Sequence, residues 1–183
     1  ASGIRLGATW LTQRGFKEAD MERVADIIAD VLLATVPYSV ETRQGKALRA
    51  KIDFTVLETA KLKVREMAEN AGIDYTVERH GYPHFYYLDD PFPAGQTALD
   101  MTGPNVRTFA NYAFTSDVYA LKPGQCQKTC VNTPQGTVEG VLSCVDLAHY
   151  RLTIASEKAG LVATWLRALS DGYVNFDPDL QRR

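Results

Sequence analysis

The spacing of apolar residues changes character along this chain, and that change limits the available folds more than any other feature. Val24, Ile27, Ile28, Val31 and Leu32 recur at i, i+3, i+4 and i+7, so residues 16–36 read as a helix with one buried face. Glu18 and Asp20 fall in its first turn, where the helix dipole favours acids, and Pro37 stops it. Leu48, Ile52, Val56, Ala60, Val64 and Met67 stand three or four apart among Lys, Arg and Glu. That spacing predicts a second, long helix from about Val40 to Asn70, ended by Asn70-Ala71-Gly72. Strict alternation predicts strands at the start of the chain (Ile4, Leu6, Ala8) and over 73–79 (Ile73, Tyr75, Val77).

Past residue 80 the pattern shortens and turns multiply. His80 to Leu88 is aromatic-rich, and Asp89-Asp90-Pro91-Phe92-Pro93-Ala94-Gly95 is a loop by turn chemistry. Short strands are expected at Ala98–Met101, Gln125–Val131, Val138–Leu147 and Arg151–Ala155, with a turn at Asn132–Gly136. Helices are expected after Pro104, through Phe114, and over Glu157–Ser170, where Leu161, Val162, Trp165, Leu166 and Leu169 share a face. The fold class is therefore α+β. The expected division is 1–72, a linking aromatic segment 73–97, and 98–183, with the long helix joining the two folded parts.

Composition excludes several classes. The chain has 183 residues, 45% hydrophobic and 23% charged, as ordinary globular chains have. The apolar run from Ile27 to Val36 is half a membrane span and contains Asp30, so no membrane partner is expected. A net charge of −2 without a basic block gives no reason to expect nucleic acid. Three cysteines without framework spacing fit a reducing compartment, and a cytoplasmic location is expected.

The most informative string is Ser2-Gly3-Ile4-Arg5-Leu6-Gly7, followed by Thr12 and Arg14-Gly15-Phe16. Glycines let a ligand or another backbone approach closely, and the planar fork of an arginine fits a carboxylate in two parallel hydrogen bonds. An arginine on an edge strand also serves as a plain ion-pair partner. The string, with Val24-Ala25-Asp26-Ile27-Ile28-Ala29-Asp30-Val31-Leu32 after it, resembles the carboxyl-terminal part of serine (glycine) hydroxymethyltransferase. The resemblance is close to about residue 36 and looser to about 70. It implies the small carboxyl-terminal domain of a pyridoxal-phosphate enzyme of fold type I, which interconverts serine and glycine with tetrahydrofolate in one-carbon metabolism. It gives Arg5 the role of holding the amino-acid carboxylate. It also implies an upstream pyridoxal-phosphate domain as partner, because no segment here matches the family's cofactor-binding lysine. Lys46, Lys51, Lys61 and Lys63 read as surface charge. No catalytic residue is expected in this chain, which alone should be inactive, and a homo-oligomer is expected. Ala8-Thr9-Trp10 departs from the family's Thr-Pro-Ala, so packing beside Arg5 differs.

Residues 101–140 resemble another family, the glycine-cleavage T-protein (aminomethyltransferase), which binds tetrahydrofolate. The matching pieces are Thr102-Gly103-Pro104-Asn105-Val106, Thr115-Ser116-Asp117-Val118, Leu121-Lys122-Pro123-Gly124 and the hairpin Asn132 to Gly140. The hairpin of that family carries two acids. Here Glu139 stands at the first and Gly140 at the second, so the segment reads as a degenerate form that retains the fold. Glu139 is either a residual folate contact or a solvated hairpin acid. Two other readings of the whole chain stay open: a non-catalytic folate-binding or assembly module, and an active aminomethyltransferase using Glu139. Cys126 and Cys130 share a strand face without metal-ligand spacing, so no metal site is expected and the cysteines read as buried packing groups. His80, His84 and the aromatics of 82–87 fit either a stacking platform or packing.

Overall fold

A computed structural model describes residues 4–72, 87–172 and 174–175, which group into two compact units. Residues 4–72 with 174–175 form the first and residues 87–172 the second. The fold is mixed α+β, as expected. No helix among the described residues is long and apolar enough to cross a membrane.

The first unit holds α1 (Thr9–Gln13), α2 (Glu18–Leu33), β1 (Thr35–Thr42), β2 (Gly45–Asp53), α3 (Phe54–Asn70) and the two-residue strand β7 (Val174–Asn175). The α2 helix follows its apolar stripe and carries Glu18 and Asp20 in its first turn, with Asp20 Oδ2 accepting from the Lys17 amide at 2.9 Å. Two expectations fail here. Ile4 to Ala8 adopts no strand and is exposed throughout, because among the described residues no neighbouring strand offers it a ladder. The long helix from Val40 does not exist. Its first half is an antiparallel hairpin, β1 against β2, and only Phe54–Asn70 is helical. The reason is an ambiguity of spacing. Residues four apart share a face in a helix and also in a strand, so Leu48 and Ile52 fitted both. Asp53 caps α3 by accepting from the Val56 amide at 3.0 Å, which sets the true start of the helix.

Within α3, Glu58 is buried, and burial pushes its carboxyl above the ordinary range although the Lys61 ammonium donates to both oxygens at 2.9 and 3.0 Å. The sheet order is β1-β2-β7, with the last pair parallel, and Val174 is fully buried.

The second unit holds β3 (Gln96–Thr102), α4 (Val106–Ala113), β4 (Cys126–Thr133), β5 (Gly136–Asp146), β6 (His149–Ala155) and α5 (Ala159–Asp171), preceded by a 3-10 turn at Ser156–Lys158. The sheet is antiparallel, in the order β3-β6-β5-β4. Every strand and helix here lies close to its expected place. One face of the sheet carries Leu99, Met101, Val131, Val138, Leu142, Cys144, Tyr150, Leu152 and Ile154 and is packed under α4 and α5. Burying Leu142 and Leu152, both fully covered, contributes roughly 2 kcal/mol each. Of the cysteines only Cys144 is buried; Cys126 is exposed and Cys130 half-buried, because both point off the open face.

The expected strand over 73–79 and the aromatic residues 80–86 lie outside the described residues. Tyr87 is described, and buried. The loop that follows it is locked to α5: a Cβ on Gly160 would stand 2.7 Å from the Tyr87 carbonyl oxygen and 3.1 Å from that of Leu88. Alanine normally improves a helix by about 1 kcal/mol over glycine. Here the sign reverses. Gly160→Ala should destabilise the second unit by about 1–3 kcal/mol, seen as a lower midpoint in urea unfolding with an unchanged slope; a more stable variant would refute the contact.

Candidate functional site

Arg5 lies in the irregular stretch before α1, exposed, and makes no hydrogen bond or ion pair among the described residues. Its surroundings are apolar and open: Ile4, Leu6 and Trp10 are 66%, 72% and 74% exposed. Ser2 and Gly3 lie outside the described residues. Behind this stretch Leu11 and Phe16 meet Val24, Ile27, Val64 and Met67 in an apolar cleft of about 220 Å³ between α2 and α3, with Arg14 at its mouth.

None of the described residues fits the grip of pyridoxal phosphate. A Schiff-base lysine sits desolvated in a pocket beside an acid that faces the pyridine nitrogen. The least exposed lysines are Lys51, at 5.9 Å from the Tyr38 ring, and Lys61, bonded to Glu58; Lys63 is exposed and pairs with Asp30 at 3.0 Å. Lys46 and Lys63 are exposed as expected, whereas Lys51 and Lys61 are half-buried, and Lys46 and Lys51 lie on β2 and not on a helix.

In the second unit a groove of about 720 Å³ runs along β3. Leu99, Met101, Val106, Phe109 and Leu166 supply the apolar part of its lining, Arg167 and Ser170 of α5 contribute polar groups, and Gly103-Pro104-Asn105 also line it. Asp100 also lines it and anchors a polar trio. Arg151 donates to Asp100 from Nε at 2.9 Å and from Nη2 at 3.2 Å, and His149 Nε2 stands 2.7 Å from Oδ1. Bonding to the Arg151 guanidinium, then to His149, holds the Asp100 carboxyl below its ordinary value of 3.8. Sequence reading missed this trio. Its members stand 49 and 51 positions apart and meet only because β3 pairs with β6 in one register.

On α4, Arg107 donates to the Tyr119 carbonyl at 2.6 Å and lies over the Tyr119 ring at 5.1 Å. Its Nε and the hydroxyl of Tyr150 are buried without hydrogen bonds, and burial raises the Tyr150 hydroxyl above its usual pKa.

Glu139 points off the open face of the sheet, exposed, opposite Cys130. Gly140 faces the packed side instead. A Cβ there would lie 2.7 Å from Ile154 Cγ2 and 2.9 Å from the Thr153 carbonyl oxygen. No second acid fits at this position, and the two positions face opposite sides of the sheet. Among the described residues no group of three metal-ligating side chains converges.

No family model matches the chain. Part of it is similar to serine hydroxymethyltransferases. The enzyme of Nitrosospira multiformis is 53% identical over 53 residues, 27% of this chain and 13% of that protein. The Caenorhabditis briggsae enzyme is 43% identical over 68 residues, 37% of this chain and 13% of its own length, and the Cutibacterium acnes enzyme 37% identical over 68 residues. The chain thus covers only 13% of the length of these curated relatives.

Two consequences follow from this geometry. Asp100 titrates lower in the folded chain than in the unfolded one, so its pairs support the fold above pH 3.8 and that support is lost as pH falls through the lowered value. Asp100→Asn should flatten the acid end of a plot of urea midpoint against pH, and an unaltered plot would show the trio to be slack. Gly140→Ala should cost about 1–3 kcal/mol by overpacking against Ile154 and Thr153; calorimetric melting that leaves the second unit unchanged would show room for the second acid after all.

Proposed function

We propose that this chain is the carboxyl-terminal part of a serine hydroxymethyltransferase-type enzyme, its first unit presenting Arg5 to the carboxylate of serine or glycine. The observation that carries this reading is the ordered string Ser2-Gly3-Ile4-Arg5-Leu6-Gly7, Thr12, Arg14-Gly15-Phe16, taken with the 53% local identity to a serine hydroxymethyltransferase. On this reading the matched stretch is the first unit. Pyridoxal phosphate and its lysine then belong to an upstream domain of a longer polypeptide, tetrahydrofolate is the co-substrate, and this chain alone is inactive. That assignment agrees with the poor fit of the described lysines to the cofactor. It also gives a reason for the bare apolar groups around Arg5, which an adjoining domain would cover.

The contribution of Arg5 is orientation. A carboxylate held by two parallel hydrogen bonds cannot rotate, so the bonds at the adjacent carbon are fixed relative to whatever group reacts with them.

For the second unit we propose a degenerate T-protein-like fold without aminomethyl transfer. Glu139 has no acid beside it on β5, since Gly140 follows it on the other side of the sheet and leaves no space for a side chain there. A folate-binding or assembly role without catalysis is the second reading, favoured by the open groove along β3.

The test of the leading reading is Arg5→Lys in the complete enzyme. An ammonium supplies a point charge in place of a fork, and the loss of one charged hydrogen bond corresponds to a roughly 10- to 100-fold weaker hold on the amino acid. Calorimetric titration with glycine reads this directly. Unchanged affinity removes Arg5 from the site.

A further inference from the structure

We infer that the free edge of β3 pairs with the β3 edge of a second copy of this chain, joining two four-stranded sheets into one across a two-fold axis. The backbone geometry leads there first. Gly95 and Gly103, just outside the strand, both bond toward the β6 side, through the Ser156 amide at 2.9 Å and the Ala148 carbonyl at 3.0 Å. In an antiparallel ladder successive residues alternate in direction. Thr97, Leu99 and Met101 therefore bond to β6, while Gln96, Ala98, Asp100 and Thr102 aim their N–H and C=O groups away from it, along the groove. Among the described residues no strand takes them.

The edges at β4 and β1 are guarded and this one is not. The β4 edge is covered by a bridge from Phe114 to Val131 and by Thr115, which bonds Cys130 through its amide and its hydroxyl, both at 3.1 Å. β1 carries Pro37 and Glu41. β3 has no proline, no lysine and no bulge, the devices that keep edges apart.

Charge selects the occupant. Asp100 is the one ionised side chain on β3, and Arg151 and His149 of the same copy already hold it. Pairing the whole strand with itself centres the register on Leu99. Asp100 then meets Ala98 of the second copy, Gln96 meets Thr102, and no like charges face each other. On the groove side Leu99 meets Leu99 and Thr97 meets Met101, so the apolar linings of the two grooves merge.

The test uses the full chain in analytical ultracentrifugation at micromolar concentration. The wild type should sediment as a dimer. Ala98→Pro deletes an outward N–H without touching the ladder to β6 and should weaken association roughly 30-fold or more, since each copy loses a bond and strands a carbonyl. Ala98→Thr keeps the N–H and should remain dimeric. A second arm places Leu99→Cys in a Cys126→Ser, Cys130→Ser background, where mild oxidation should link the two copies, because directly opposed non-bonded pairs lie within disulfide reach. A monomeric wild type overturns the proposal, since the edge is then kept for some other strand. So does a dimer that survives Ala98→Pro, or a dimer that fails to cross-link through Leu99→Cys.

Discussion

The pleat of the four-stranded sheet decides what every residue of the second unit can do. Side chains alternate, and registered pairs across antiparallel strands share a face. Once Leu142 and Leu152 are set under α4 and α5, the direction of all other strand residues follows. Asp100, Arg151 and Ser143 must point outward in one row, and Glu139 with them. Gly140 must point inward, where Ile154 and Thr153 leave it no room for a side chain. Whatever chemistry this face performs, it has to be built from groups of one parity.

The second unit was legible in the sequence because its strands alternate apolar and polar residues, with Gly or Pro at the ends of β3 and at the turn between β4 and β5. The first unit misled at two places, and the longer of them, the helix expected from Val40, has an instructive reason. The hairpin at Thr133-Pro134-Gln135-Gly136 announces itself by its proline. In the structure Thr133 Oγ1 donates to the Gly136 carbonyl at 2.7 Å and accepts from the Gln135 amide at 3.3 Å, with Gly136 at φ 120°. Thr42-Arg43-Gln44-Gly45 repeats this arrangement, with 2.6 Å, 3.3 Å and φ 107°. The recurring Thr-x-Gln-Gly string was the available signal. It was hidden by Leu48 and Ile52, whose spacing of four suits either kind of element. Asp53 as a helix cap was a second signal of the same break.

Of the candidate site, Arg5 was legible as chemistry and not as conformation. Its neighbours alternate as in a strand, yet an isolated stretch has no ladder to join and stays irregular. The Asp100 trio could not be read at all, since sequence offers no hint that positions 49 and 51 apart will lie side by side before strand order is known. The groove along β3 is a product of the same pairing. Local periodicity reports which face of an element is buried and is silent about which elements become neighbours.

The tight seat of Gly160 against the carbonyls of Tyr87 and Leu88 has a practical side. The loop and the helix are far apart in the chain, yet each is a wall for the other, and the ordering of one cannot be finished before the other arrives. A recombinant fragment starting at Ala98 would strip that wall and leave a bare notch at the head of α5. Any excised version of this half has to retain the residues from Tyr87 onward if its final helix is to close.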